Sequence, residues 1–192
     1  FFARGFASTA PIVLAERLTD LLALIVLVAL AGSAEPDGLP IALAGVTLVG
    51  MVLVPLVSPA IAERLLGLAE RLPRISAIVP KLRDAYASSR KLLSGSALLM
   101  GTSLAVVSWS LECTATYVIV RGFEGASLTP MAATFCYAAP TILGALSMLP
   151  GGLVATEASM ASLFARIGTN ISPAIASGTT LLVRLATLWW AV

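Results

Sequence analysis

No histidine occurs in the 192-residue chain. The commonest metal ligand and the commonest general base are therefore missing. Only two cysteines are present, Cys113 and Cys136, each in an apolar stretch and in no CxxC spacing. They read as packing residues, because a free cysteine behaves as a small buried hydrophobe. Charge is scarce: 11% of residues are Asp, Glu, Lys or Arg, against about 25% in an ordinary soluble domain. A water-facing surface cannot be built from so few. The net charge of +2 is too small to argue for nucleic acid. No catalytic constellation, metal cluster or cofactor motif emerges, so the expectation is no cofactor and no metal.

What fills the chain instead is hydrocarbon. Hydrophobic residues make up 58% and the mean hydropathy is +0.98. That excludes intrinsic disorder, which needs low hydrophobicity, and argues for an integral membrane protein. The chain opens at Phe1 and closes on LWWAV inside an apolar run. The expectation is one transmembrane domain over residues 1–192, cut at both ends from something longer, so no signal peptide can be assessed.

A membrane span needs about 20 apolar residues, each rising 1.5 Å across about 30 Å of hydrocarbon. Pro11–Ala31 supplies the first, closed by the polar GSAEPDG at Gly32–Gly38. The second runs from Pro40 to Ala62, with Pro55 and Pro59 expected to kink its end. The third is Ser96–Val120, the fourth Pro130–Leu149, and a last apolar segment starts at Ser172. Between the second and third lies the only strongly charged region, Glu63–Lys91, with seven Lys or Arg interleaved with leucines and broken by Pro73 and Pro80. It resembles helices lying in the membrane interface, with a plain solvated loop as the alternative. By the positive-inside rule this basic segment is cytoplasmic.

One stretch breaks the pattern: LPGGLVATEASMASLF, Leu149–Phe164. Leu153–Arg166 is too short to cross a bilayer, and Pro150-Gly151-Gly152 leads into it. Non-helical backbone at membrane depth is tolerated only inside protein or beside a water-filled cavity. A broken or re-entrant helix is the expectation here. The helix that follows carries Ala155, Ala158, Ser159, Ala161, Ser162 and Ala165, a small surface suited to close helix packing, which would bury Glu157 in the bundle. A carboxylate near mid-membrane costs at least about 2.5 kcal/mol. It needs a partner, a wet cavity or a proton. Arg166 points to the opposite face of the same helix, so Arg184, within TTLLVRLATLWW, is the better candidate. The pair either fixes helix packing or lines a charged site.

Two further clusters hold charge. In ERLTD, Arg17 and Asp20 can pair at i, i+3, while Glu16 and Asp20 repel at i, i+4; snorkelling to the interface is the structural alternative. Glu112 stands in the third span among Ser108, Ser110, Thr114 and Thr116.

These residues resemble a known family. Pro150, Gly151, Gly152, Glu157 and the later Arg184 are similar to the signature of the lysylphosphatidylglycerol synthase transmembrane family, also described as flippase-like membrane proteins. VLAERLTDLLAL (Val13–Leu24) resembles its upstream segment through Glu16, Arg17 and Asp20. Members often carry Gly where this chain has Val154 or Ala155, which implies a stiffer turn after Gly152. The resemblance implies handling of anionic or modified phospholipids in a cytoplasmic membrane, by moving them between leaflets. The implied architecture is an all-α, polytopic transmembrane helix bundle in the cell membrane, broken near Pro150–Gly152.

In that reading membrane lipids are the partners and an oligomer is compatible with the sequence. Arg184 and Arg17 are candidates to hold a phosphate, with Gly151 and Gly152 exposing backbone N–H groups at a helix start. Two alternatives remain. One is the membrane portion of an enzyme acting on a lipid-linked substrate, with Glu157 as acid or base, which no nucleophile or metal motif supports. The other is a structural membrane scaffold.

Overall fold

A computed structural model describes residues 6–34, 39–40, 43–44, 46–47, 50–51, 54, 58–72, 76, 78–92, 95–147 and 149–188. Among them there is no β-strand, only an isolated antiparallel bridge between Ser127 and Thr169. The protein is all-α. Its helices are α1 (Phe6–Gly32), α2 (Pro59–Glu70), α3 (Val79–Leu92), α4 (Gly95–Arg121), α5 (Pro130–Leu146), α6 (Ala155–Ile167) and α7 (Pro173–Leu188), with a 3₁₀ turn at Pro150–Gly152. Among the described residues one helix, α4, is long and apolar enough to cross a membrane, and α5 is apolar but shorter.

Ten of the 23 residues of the expected second span, Pro40–Ala62, lie outside the described residues, Pro55 among them, as does Pro73. Its expected end is different from the sequence reading. Pro59 does not kink a continuing helix but opens a new one, following Ser58 in extended conformation. The first helical position suits proline, whose missing N–H would have no intrahelical partner there. Pro80 likewise sits at the start of α3 rather than breaking it.

The chain forms two compact units, residues 1–22 with 47–104, and residues 23–46 with 105–192. In the first, α2 and α3 are joined by Arg83, which reaches Glu63 at 3.2 Å and Glu70 at 3.0 Å. All three side chains are well exposed, so each pair contributes at most about 1 kcal/mol.

The second unit is built around α5. Nearly its whole surface is buried, from Ala132 to Gly144, as expected of a helix apolar all round. Thr129 caps its start by accepting from the Ala132 N–H at 3.0 Å. Pro140 sits in its middle without ending it. The loops on either side of the α5–α6 hairpin are tied together: Ser127 and Thr169 exchange backbone hydrogen bonds at 3.1 and 3.0 Å, and Asn170 donates to the Gly125 carbonyl at 3.2 Å. The hairpin therefore starts and finishes at one level. α5 and α6 reach inward from that level by about 25 and 20 Å, and the Pro150–Gly152 break is the hairpin's tip.

The break is a sequence of tight backbone turns. The Gly152 N–H donates to the Leu149 carbonyl at 2.9 Å, with Pro150 in the second position and Gly151 at φ 63 in the third. That is the residue order of a type II turn. Gly152 is again left-handed at φ 66 and buried. It packs directly on α5. A Cβ there would meet Gly144 Cα at 2.8 Å and Thr156 Oγ1 at 2.6 Å. A Cβ at Gly144 would strike the same hydroxyl and come within 3.3 Å of Gly152 Cα. The space that Gly152 leaves is thus filled by α5, not open to a ligand.

The small face expected to bury α6 is mostly turned outward. Ala158, Ser162 and Ala165 are exposed, and the buried stripe is Thr156, Met160 and Phe164. The larger side chains bury more apolar area per residue, and the close approach occurs at the two glycines instead.

Gly144→Ala should destabilise the protein by about 1–3 kcal/mol through overpacking, read as a lower unfolding temperature in detergent. Gly67→Ala, in α2 with nothing within 4 Å of the new methyl, should be neutral or stabilising by up to about 1 kcal/mol. Equal losses at both positions would contradict the packing described.

Candidate functional site

The tip of the hairpin carries the only close ion pair among the described residues of the second unit. Arg184 Nε donates to Glu157 Oε1 at 2.7 Å. Its Nη2 donates to the Gly151 carbonyl at 2.5 Å. One guanidinium thus bridges α7, the first turn of α6 and the non-helical break. The side chains are 14% and 26% exposed for Arg184 and Glu157, well removed from solvent without being sealed. Glu157 also lies in the first turn of α6, where the helix dipole favours negative charge. Its second oxygen, Oε2, is buried and has no hydrogen-bond partner among the described residues.

Depth can be measured along each helix from the joined loops. Glu157 lies about 15 Å from the Ile167 end of α6, and Arg184 about 16 Å from the Pro173 end of α7. The two charges therefore meet at matching depth, which the sequence distance between them conceals.

Of the sequence-derived candidates, the structure brings together Glu157, Arg184, Gly151 and, through the turn, Pro150 and Gly152. Arg166 is exposed and takes no part. Glu16, Arg17 and Asp20 lie on the part of α1 that belongs to the first unit. There Arg17 Nη1 stands 3.6 Å from Asp20 Oδ2, with the Arg17 side chain 70% exposed, a surface pair of modest strength. The hydroxyls around Glu112 are turned back on their own helix. Ser110 donates to Val106, Thr114 to Ser110 and Thr116 to the Glu112 carbonyl, the usual local bonding of Ser and Thr inside helices.

Tyr137 escaped the sequence reading, and the conformation of Val154 was read only in part. Tyr137 donates its hydroxyl to Glu112 Oε2. Val154, which precedes α6, sits at φ 70 and ψ −51, a region rarely occupied by a β-branched residue. Val154 was one of the two positions, with Ala155, at which the family resemblance implied a glycine and hence a stiffer turn. For Tyr137, in a helix of apolar neighbours, no spacing rule links it to an acid 25 residues away.

The ion pair and the strained turn each make a prediction. Removing one partner leaves a desolvated charge, at a cost of about 3–5 kcal/mol. Glu157→Gln and Arg184→Gln should each lower the unfolding temperature. Arg184→Gln should lower it more, since it also frees the Gly151 carbonyl. The double variant should be at least as stable as Arg184→Gln alone, and additive losses would contradict the pairing. Val154→Gly relieves strain of about 1–3 kcal/mol against an added unfolded-state entropy of about 1 kcal/mol or less. Thermal unfolding should show a net gain, and a loss would show that Val154 holds its turn by contacts rather than against strain.

Comparison with known proteins identifies the family. The family model for the lysylphosphatidylglycerol synthase TM region matches residues 3–192. A UPF0104 membrane protein of Methanothermobacter thermautotrophicus is 30% identical over 138 residues, covering 67% of this chain and 40% of its own length. A second UPF0104 membrane protein of that organism is 31% identical over 93 residues, covering 48% of this chain and 26% of the relative. The chain thus spans less than half the length of these curated relatives. No solved structure matches. The chain is a membrane protein that belongs to the lysylphosphatidylglycerol synthase transmembrane family.

Proposed function

We propose that this domain is a multi-pass part of a cell membrane protein that binds anionic or modified phospholipids and moves their head groups between leaflets. The observation that carries the reading is the Glu157–Arg184 pair at the tip of a re-entrant hairpin, with one carboxylate oxygen unpartnered. Intramembrane charges are functional by default, because they are costly to keep. A head group that carries both phosphate and ammonium would exchange with the pair without a net change in buried charge. Phosphate takes the guanidinium, and ammonium takes Glu157.

Helix surfaces support a lipid setting. Met100, Leu104, Val107, Leu111 and Val118 are exposed on α4, and Leu181, Leu182 and Leu185 on α7. Thr116, Thr179 and Thr180 are buried. Apolar groups outside and hydroxyls inside reverse the arrangement expected in water.

One observation favours a second reading. Two of the nitrogens of Arg184 are already spent on protein acceptors, so the pair can serve solely to clamp the break, as in a membrane scaffold.

Reconstitution into liposomes with fluorescent phosphatidylglycerol or its lysyl derivative separates these. Wild-type protein should move lipid between leaflets without any soluble cofactor. Per folded molecule, the Glu157→Gln/Arg184→Gln variant should lose at least about tenfold of that rate, the scale of one charge-assisted hydrogen bond. Unchanged transport in the double variant would leave the pair as a clamp. No transport by folded wild-type protein would remove the flippase reading.

A further inference from the structure

A second acid lies in the same unit, and no cation among the described residues pairs with it. Glu112 is half-buried on the inward face of α4, in line with the buried Cys113, Thr116 and Val120. It lies about 14 Å from the Arg121 end of the helix, near the middle of a bilayer core about 30 Å thick. Glu157 has a cation. Among the described residues no Lys or Arg lies within ion-pair distance of Glu112. Its partner is the phenol of Tyr137, which is 3% exposed and wholly within α5. Trp109 walls the pair, with its ring centroid 6.2 Å from that of Tyr137 and the planes tilted by 41°.

We propose that Glu112, held by Tyr137, is a proton-binding site of the membrane domain, separate from the Glu157–Arg184 pair. A lone carboxylate at this depth is the most costly form the group can take. It can be relieved by a cation or a proton, and the surroundings favour the proton. A metal ion requires several oxygen ligands. Here one carboxylate and one phenol are at hand, the Glu112 carbonyl accepts from Thr116, and among the described residues no group of three acidic, cysteine or histidine side chains exists.

The other ionisable groups facing the site do not replace a proton. Cys113 on α4 is buried, and Thr134 of α5 lies beside it. On α7, Thr187 donates to the Val183 carbonyl of its own helix, while Arg184 is committed to Glu157 and Gly151. The α1 segment of this unit, residues 23–34, has no ionisable side chain. The phenol serves both states. It donates to the ionised carboxylate. When a proton binds Glu112, the new carboxylic O–H can donate to the phenol oxygen, so no hydrogen bond is lost in either direction. The site stands whether or not the domain moves lipid.

Infrared difference spectroscopy between acidic and alkaline buffers, on the protein in lipid nanodiscs, tests it directly. Wild-type protein should show a carboxylic C=O band. Glu112→Gln, which is isosteric, should remove one carboxyl's share of it, while Glu157→Gln should retain that share. Tyr137→Phe should keep the band and move it to the frequency of a carboxyl that lacks its phenol partner, which makes the test independent of whether Glu112→Gln folds. A band unaltered by both Glu112→Gln and Tyr137→Phe, or one lost instead in Glu157→Gln, would overturn the assignment.

Discussion

One guanidinium holds three pieces of backbone that otherwise have little reason to stay together. Arg184 donates to Glu157 and to the Gly151 carbonyl, so a single side chain compensates both the buried carboxylate and one exposed acceptor of the break. Without it, the hairpin tip would place an unpaired charge and an unsatisfied carbonyl away from water, and each is costly in an apolar medium. The break is possible because of this contact. So is the short helix α6, which at 13 residues reaches only about 20 Å and could not cross a bilayer. Its ends are fixed separately, the tip by Arg184 and the base by the Ser127–Thr169 bridge.

The glycines at this tip have distinct roles. Gly151 supplies the left-handed residue of the turn and presents its carbonyl to Arg184. Gly152 removes a side chain that would collide with α5, and Gly144 makes the matching concession on the other side. Val154 carries no such advantage and adopts a left-handed conformation nonetheless. A strained residue directly before a helix that bears an ion-paired acid fits the general tendency of strain to concentrate at sites and switches.

Much of the helix plan could be read from hydropathy, because long apolar runs bounded by Gly, Pro and charge leave few alternatives. α4 and α5 fall where the third and fourth spans were expected, and the break at Pro150 was evident from residues that a bilayer does not tolerate singly. The limits of the reading are equally physical. Hydropathy carries no helical phase in a chain that is apolar on every side, so the face of α6 was misjudged. Small residues allow close packing but do not require it, and Met160 with Phe164 gained more from burial. The partnership of Glu157 with Arg184 followed from elimination, since each was too costly to leave alone. That of Glu112 with Tyr137 could not, because a phenol in an apolar helix is unremarkable until the fold sets it beside an acid.

The two acids of this unit show how the same cost can be met in different ways. Glu157 is compensated by a fixed charge, which also organises backbone, so its state is tied to the geometry of the hairpin. Glu112 is compensated by a neutral donor that can reverse its direction, so its state is free to change while the packing around it does not. A membrane domain with only fixed pairs could bind a head group but would have no internal means of responding to the proton gradient across its membrane. A domain with only the reversible group would lack a place for opposite charges. Both kinds occur here at similar depth, about 14 Å and 15 Å from the joined loops. α7 serves one of them directly: Arg184 holds Glu157 and the Gly151 carbonyl, while Thr187, one turn on, donates back to its own helix at Val183. The fixed pair is thus tied to the position of α7, and the Glu112–Tyr137 pair is made between α4 and α5.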